Sequence, residues 1–291
     1  MISRSVVVRL TGGVGNQLFQ YCCGRALALR HGCDLYLDAS AYRTHAEKSL
    51  GRSFGLQSFQ ICAAKNSRSI DLLLKPYTLR YVNRLNLAVP WRRVKEKQYY
   101  FDSTLFRFPL PIYLDGYWQS YKYFWDVEPT IRKDLTFAVI QPSDVDTAAP
   151  FAGDDSVMVH IRRGDYAFNP RTAQIHGTLP LEYYYRALEM LSSSISRRLK
   201  LFIFSDDYEW VRHNFKPAAY DFHLACDLTP DSSQDLYYMS QCKHHIIANS
   251  TYSWWAAWLS QRHGITIAPR GWFNRNTPTT IDLIPPDWRQ L

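Results

Sequence analysis

Four short polar segments carry residue types suited to a phosphate-bearing ligand. The first is Gly12-Gly13-Val14-Gly15-Asn16-Gln17. Glycines that open a helix let backbone N–H groups approach an anion at the positive helix end. No Lys-Ser/Thr follows, so it is not a Walker A loop, and the spacing is not GxGxxG. A tight strand-to-helix turn capped by Asn16 reads the same way. The second is His160-Ile161-Arg162-Arg163-Gly164-Asp165-Tyr166. On an extended strand end, His160 and Arg162 share one face and Arg163 takes the other. Arginine clamps a diphosphate by forked hydrogen bonds. Two arginines at a buried strand end are costly without an anionic partner, and Asp165, past the glycine turn, is expected to point freely into a cleft. The plainer reading is an internal Arg–Asp ion pair.

The third segment, Asn249-Ser250-Thr251-Tyr252-Ser253-Trp254-Trp255, joins a strand to a helix. Its hydroxyls and N–H groups suit a phosphate, or only an ordinary N-cap. Asn249-Ser250-Thr251 is also a formal glycosylation sequon, unusable at a buried strand end. The fourth is Ser205-Asp206-Asp207, whose carboxylates suit a ribose or a metal. Adjacent carboxylates on an extended chain point apart and chelate poorly. Asp144-Val145-Asp146 is read as chance, and adjacent His244 and His245 as unsuited to joint ligation. No GxSxG elbow, CxxC or zinc spacing occurs. The residues alone point to a metal-free enzyme that binds a nucleotide diphosphate.

Each of these segments follows a predicted strand. Val6–Leu10, a helix over Gln17–His31 and Leu35–Asp38 read as a βαβ unit. Residues 111–118 read as a strand running into a loop. Later come strands at Val157–Ile161, Leu201–Phe204, His245–Ala248 and Ile265–Ala268. Helices alternate with them at Leu181–Leu191, Asp235–Cys242 and Tyr252–Arg262. Ligands of such sheets bind beyond the strands' C-terminal ends. The fold class expected is α/β, with two Rossmann-like domains facing across a cleft. The boundary is placed in the Pro-containing stretch 141–154, giving an N-terminal α/β domain over 1–145 on the acceptor side. A C-terminal domain over 151–291 holds the nucleotide, and its last ~20 residues are expected to pack back on the first domain. Residues 40–110 resist assignment.

Composition narrows the class. The chain has 291 residues, 34 basic and 26 acidic, for a net charge of +8, with 46% hydrophobic residues. That is ordinary globular usage and excludes disorder, collagen and coiled coil. The 9 Trp, 20 Tyr and 15 Phe are more often core filling than sugar platforms. The largest basic cluster is Arg92, Arg93, Lys95 and Lys97; with no accompanying motif, no nucleic-acid partner is expected. Cys22 and Cys23 are not expected to face one core together, and the six cysteines read as reduced thiols of a cytoplasmic protein. Neither a signal peptide nor a transmembrane helix is expected. A basic surface leaves peripheral association with an inner membrane face open.

Residues 12–28 (GGVGNQLFQYCCGRALA), 160–166 (HIRRGDY), 204–207 (FSDD) and 249–259 (NSTYSWWAAWL) resemble, in order, the bacterial α-1,2-fucosyltransferases of glycosyltransferase family 11. The resemblance implies a GT-B-like fold and inverting transfer of fucose from GDP-β-L-fucose to the 2-hydroxyl of galactose, without a metal or other cofactor. It implies that Arg162 or Arg163 holds the β-phosphate, and that His160 and Asp235 contact guanine. Ser250, Thr251 and Ser253 line the phosphates, Asn249 belongs to the donor site, and Gly13, Asn16 and Gln17 approach the donor from the other domain. Asp165 is the candidate base, with Asp115 in reserve. The acceptor implied is a galactose-containing glycan, with a lipid-linked one compatible. Two other readings are a fucosyltransferase of different linkage and a non-catalytic GDP-sugar or glycan binder.

Overall fold

The computed structural model describes residues 4–43, 51–64, 91–138, 140–229, 234–274 and 281–291. Much of the unassigned 40–110 stretch lies outside them. Two compact units result, Met1–Ala138 with Pro278–Leu283, and Val139–Thr277 with Ile284–Leu291.

In the first unit, β1 (Ser5–Arg9) is a run of valines buried on both faces, as a central parallel strand must be. The chain turns through Gly12 (φ +80°) into α1 (Val14–His31), which stops at left-handed Gly32. β2 (Asp34–Asp38), β3 (Arg92–Lys95) and β4 (Ile112–Asp115) complete an all-parallel sheet in the order β2-β1-β4-β3. α2 (Glu128–Asp134) is tied to α1 through Asp134, which accepts from Tyr21 Oη at 2.7 Å and Arg25 Nε at 2.8 Å. This second layer corrects one expectation. Cys22 and Cys23 are both fully buried, because α1 is covered on more than its sheet face. Burial pushes both thiols up, and all six cysteines are free.

The second unit begins with α3 (Pro142–Ala148), in the stretch read as a linker. Pro142 at the first helical position and Asp144, accepting from the Gln141 N–H, start a helix there. Next come β5 (Ser156–Ile161), α4 (Gly164–Phe168), α5 (Pro170–Ile175), α6 (Leu181–Ser192) and β6 (Lys200–Ser205). α7 (Tyr208–Asn214), β7 (Asp221–Leu224), α8 (Asp235–Gln241), β8 (His244–Ile246) and α9 (Thr251–Leu259) follow, then β9 (Thr266–Ala268) and β10 (Arg289–Gln290). All strands are parallel, in the order β10-β9-β8-β5-β6-β7.

Val157, Val159, Leu201 and Ile203 pack on Ala187, Leu188 and Leu191 of α6. Each large aliphatic so buried contributes roughly 1.5–3 kcal/mol. α9 is buried almost all round, with Trp255 edge-on to Trp254 and Trp258. Many of the abundant aromatics are thus core. The C-terminal residues divide: Asp282, in the first unit, pairs with Lys122, while β10 extends the second unit's sheet beside β9.

Candidate functional site

In the second unit the chain runs from β5 outward through β6 and β7, then returns to β8 on β5's other side. The strand order reverses between β5 and β8, and ligands of open parallel sheets bind beyond the carboxyl ends at such a point. Arg162 follows β5 there, and Asn249 and Ser250 lie between β8 and α9. The topology therefore brings HIRRGDY and NSTYS, 83 residues apart at Tyr166 and Asn249, to one place, where the Tyr166 hydroxyl donates to the Asn249 carbonyl at 3.2 Å.

Arg162 is the centre of this place. Its Nη2 donates to Asp165 Oδ1 at 2.6 Å, and its Nη1 lies 2.8 Å from Asp206 Oδ2. The guanidinium sits 5.3 Å from the centre of the Tyr166 ring. Its Nε is buried without a hydrogen-bond partner among the described residues. Arg163 has a separate set of contacts. Its Nε donates to Asp207 Oδ2 at 3.0 Å, and its guanidinium lies 3.8 Å over Trp210. The two arginines thus divide as an extended strand end requires. Gly164 permits this: a Cβ there would sit 2.2 Å from Asp206 Oδ2.

Two expectations need correction. Asp165 does not point freely; it is paired with Arg162. The anions expected beside the arginines are, in this structure, Asp165, Asp206 and Asp207. Asp206 and Asp207 are engaged with the arginines rather than aligned for joint chelation: Asp206 Oδ1 accepts from the Arg163 N–H, and Asp207 Oδ1 caps α7 through the Trp210 N–H.

His160 is buried, and its Nδ1 has no partner among the described residues. Burial, with Arg162 nearby, pushes its imidazole down to about 3, so it is neutral at any working pH. Its ring lies 6.2 Å from Tyr252. Asp235, buried in the first turn of α8, acts electrostatically on both Tyr252 and Tyr208. His160, Tyr252, Tyr208 and Asp235 therefore form one neighbourhood beside Arg162. Tyr252 and Tyr208 were missed by sequence reasoning, although Tyr252 lies within a motif already singled out.

At the start of α9, Ser250 accepts from the Tyr252 N–H at 3.3 Å, as an N-cap does. Ser253 is fully buried and donates to the Ser250 carbonyl at 3.2 Å; its hydroxyl serves the helix. Thr251 is half-buried at the first helical position. Asn249 is 2% exposed, which closes the sequon to glycosylation. Its Nδ2 donates to the carbonyls of His176, Gly177 and Trp272, while its Oδ1 is unpartnered among the described residues. His244 and His245 have separate partners, the Ile265 N–H and the Met239 carbonyl.

The first unit has its own reversal between β1 and β4. Gly12–Gln17 follows β1, and Asp115 ends β4. Gly13 faces open space. Asn16 Oδ1 accepts from Gln119 at 2.9 Å. Gln17 is fully buried: it donates to the Gly12 and Ser53 carbonyls and accepts from the Gly55 N–H. It holds the glycine loop in shape. Asp115 accepts from Arg9 at 2.9 Å and from Arg93 Nη2 at 2.6 Å. Burial favours its protonation, but the two guanidiniums outweigh it and hold the carboxyl below its usual range. A lowered carboxyl is the weaker base.

The family model "Glycosyl transferase family 11" matches residues 93–291. An Escherichia coli protein named alpha-1,2-colitosyltransferase is 32% identical, over 98% of this chain and 98% of that one. The Mus musculus galactoside 2-alpha-L-fucosyltransferase Sec1 is 24% identical, over 97% of this chain and 72% of that one. Among solved structures, Arabidopsis thaliana FUT1 in complex with GDP has a TM-score of 0.53 at 8% identity, covering 97% of this chain and 75% of that one. That likeness bears out the GT-B-like α/β fold class.

Proposed function

Because the chain belongs to glycosyl transferase family 11, we propose that it transfers L-fucose from GDP-β-L-fucose to the 2-hydroxyl of a galactose residue, with inversion, as an α-1,2-fucoside. The observation that carries the proposal is Arg162, fixed at the β5/β8 reversal with a buried N–H unpartnered among the described residues. In the transfer, the bond between fucose C1 and the β-phosphate oxygen breaks, and its electron pair leaves with GDP. The galactose O2 attacks C1 and gives up its proton. A fixed guanidinium aimed at the departing phosphate stabilises the charge that grows there. It fills the place a divalent cation takes in other nucleotide-sugar chemistry, so transfer is proposed to need no metal. The start of α9, beside Thr251, is a helix N-terminus and favours the diphosphate's negative charge.

His160, neutral and buried, offers an uncharged ring nitrogen to the guanine, with Asp235 as acceptor for guanine N–H groups. Asp165 keeps its role as proposed base, now through its pairing with Arg162: diphosphate on the guanidinium would compete with that pairing and release the carboxylate. Names of relatives support the linkage and acceptor, since one is an α-1,2-colitosyltransferase and another a galactoside 2-α-L-fucosyltransferase. The first supports a second reading of the donor. Colitose is L-fucose lacking the 3-hydroxyl, so GDP-colitose is the alternative sugar nucleotide.

The test is a transfer assay on lactose and a Galβ1,3GalNAc glycoside. GDP-fucose and GDP-colitose are each supplied with EDTA, with GDP-mannose and UDP-galactose as controls. Acceptor-dependent GDP release from GDP-fucose is expected. Release from GDP-colitose alone moves the donor to the second reading. Calorimetric GDP binding with no release from any donor would favour a non-catalytic binder.

A further inference from the structure

A cavity of about 230 Å³ lies in the first unit, along β3 and the residues that follow it. This is smaller than the ~300–1,000 Å³ of drug-sized pockets and suits a single ring. Glu96, Trp118, Phe108, Tyr123, Asp102 and Leu105 are among the residues that line it. No residue assigned above to the donor touches it. It lies beside the basic cluster that sequence reasoning left unused.

Two groups in its wall are set for a ligand. Trp118 is 2% exposed, and its indole N–H has no hydrogen-bond partner among the described residues. A buried donor left unpaired costs ~1–3 kcal/mol, and here it belongs to a residue that lines a cavity. Trp118 also has φ +56°, a conformation bulky residues rarely adopt. Glu96 holds it there: Oε2 accepts from the Tyr117 N–H at 2.7 Å, and Oε1 from the Trp118 N–H at 2.9 Å. Each carboxylate oxygen retains a second lone pair. Burial raises the Glu96 carboxyl to about 7, against those two hydrogen bonds.

Among the other polar lining residues, Lys95 and Lys97 are exposed and Gln98 is half-buried. The Asp102 carboxylate accepts from Thr104, and its N–H donates to the Tyr123 hydroxyl. Arg93 is paired with Asp115, and Arg92 lies 5.1 Å over the Phe108 ring. Apart from those side chains, the wall offers one indole donor, one carboxylate acceptor and aromatic rings. That set fits a neutral hexose, whose C–H face is apolar and whose hydroxyl edge both donates and accepts.

We propose that this cavity is the acceptor-sugar site, holding a galactose residue with Trp118 donating to one hydroxyl and Glu96 accepting from another. The proposal rests on the galactoside-transfer reading and deepens it. Glu96 acts twice, as a ligand contact and as the clamp that keeps Trp118 in its strained conformation.

The experiment measures acceptor KM, GDP affinity by calorimetry, and saturation-transfer NMR of methyl β-D-galactoside without donor. It compares wild type with Trp118→Phe, which keeps a ring but lacks the N–H. Phe108→Ala, at a partly exposed wall, is the second variant should the first fail to fold. Losing one ligand hydrogen bond should raise acceptor KM about tenfold. GDP affinity should be unchanged, and saturation transfer should fall with acceptor affinity. A wild type that transfers to galactosides, with acceptor KM unmoved in the folded variants, overturns the pocket and leaves the function standing. A wild type that neither binds nor uses galactosides overturns both.

Discussion

At the scale of single residues, the site depends on arginines that carboxylates hold in place. Arg162 touches Asp165, Asp206 and the face of Tyr166, so its position is over-determined. Replacing it with Ala should lower kcat by about 10²–10³, the usual cost of one preorganised charge-stabilising donor. Circular dichroism should show an intact fold; a variant that keeps full turnover would remove Arg162 from the mechanism. Gly164 is a sharper probe, because it brings no side chain of its own to the site. A methyl group there collides with Asp206, so Gly164→Ala should displace the carboxylate that holds Arg162. We expect at least a tenfold loss of kcat with about 1–3 kcal/mol of destabilisation by overpacking. Kinetics at saturating donor and thermal melting read the two effects separately. Arg162, Asp165 and Gly164 were legible as one motif. So was the plainer reading of an internal Arg–Asp pair, which the structure shows; the second carboxylate on Arg162, Asp206, lies forty-four residues further on and was not legible.

At the scale of elements, the site is a set of strand ends and helix starts. The strand–helix alternation of the second half was readable because buried parallel strands are short apolar runs and helices between them repeat every three to four residues. The segment 141–154 misled because proline was read as a breaker, whereas at the first helical position it starts α3. α9 shows a similar division. Ser250 caps it and Ser253 serves it internally, so neither hydroxyl is simply a phosphate ligand. Ser250→Ala should cost about 1 kcal/mol of stability, the usual value of an N-cap. Chemical denaturation would measure that loss. If GDP affinity also falls by more than about tenfold, a further ~1.4 kcal/mol, the hydroxyl has a ligand role besides the cap.

At the scale of the whole molecule, the two units should answer pH in opposite directions. In the second unit, burial lowers His160 from 6.5 to about 3, and His244 and His245 to about 4. Below pH 6.5 the unfolded chain takes up protons that the folded unit refuses. Its stability is therefore full above 6.5 and falls with acid, by up to about 1.4 kcal/mol per pH unit for each histidine. In the first unit, Glu96 is raised from 4.5 to about 7. Its stabilising share is present below 4.5 and lost as pH rises through 7. Hydrogen exchange between pH 5 and 7 should show β5 and β8 amides better protected at the upper end and β1 and β4 amides at the lower end. Glu96→Gln should flatten the trend in the first unit alone, and parallel trends in both units would refute the assignment.

The sequence by itself determined the polar segments, the parallel α/β class and the family, because each is written in contiguous residues: glycines before a helix, arginines after a strand, apolar runs of fixed period. Tertiary structure decided what those residues touch. Sheet order brought Tyr166 to Asn249, and close packing of α1 on two sides buried Cys22 together with Cys23. The Glu96–Trp118 cavity lies furthest from sequence reading. It rests on two backbone N–H groups accepted across 21 and 22 residues and on one tryptophan in a left-handed conformation. No periodicity encodes either feature, since both exist only once β3 and β4 lie side by side.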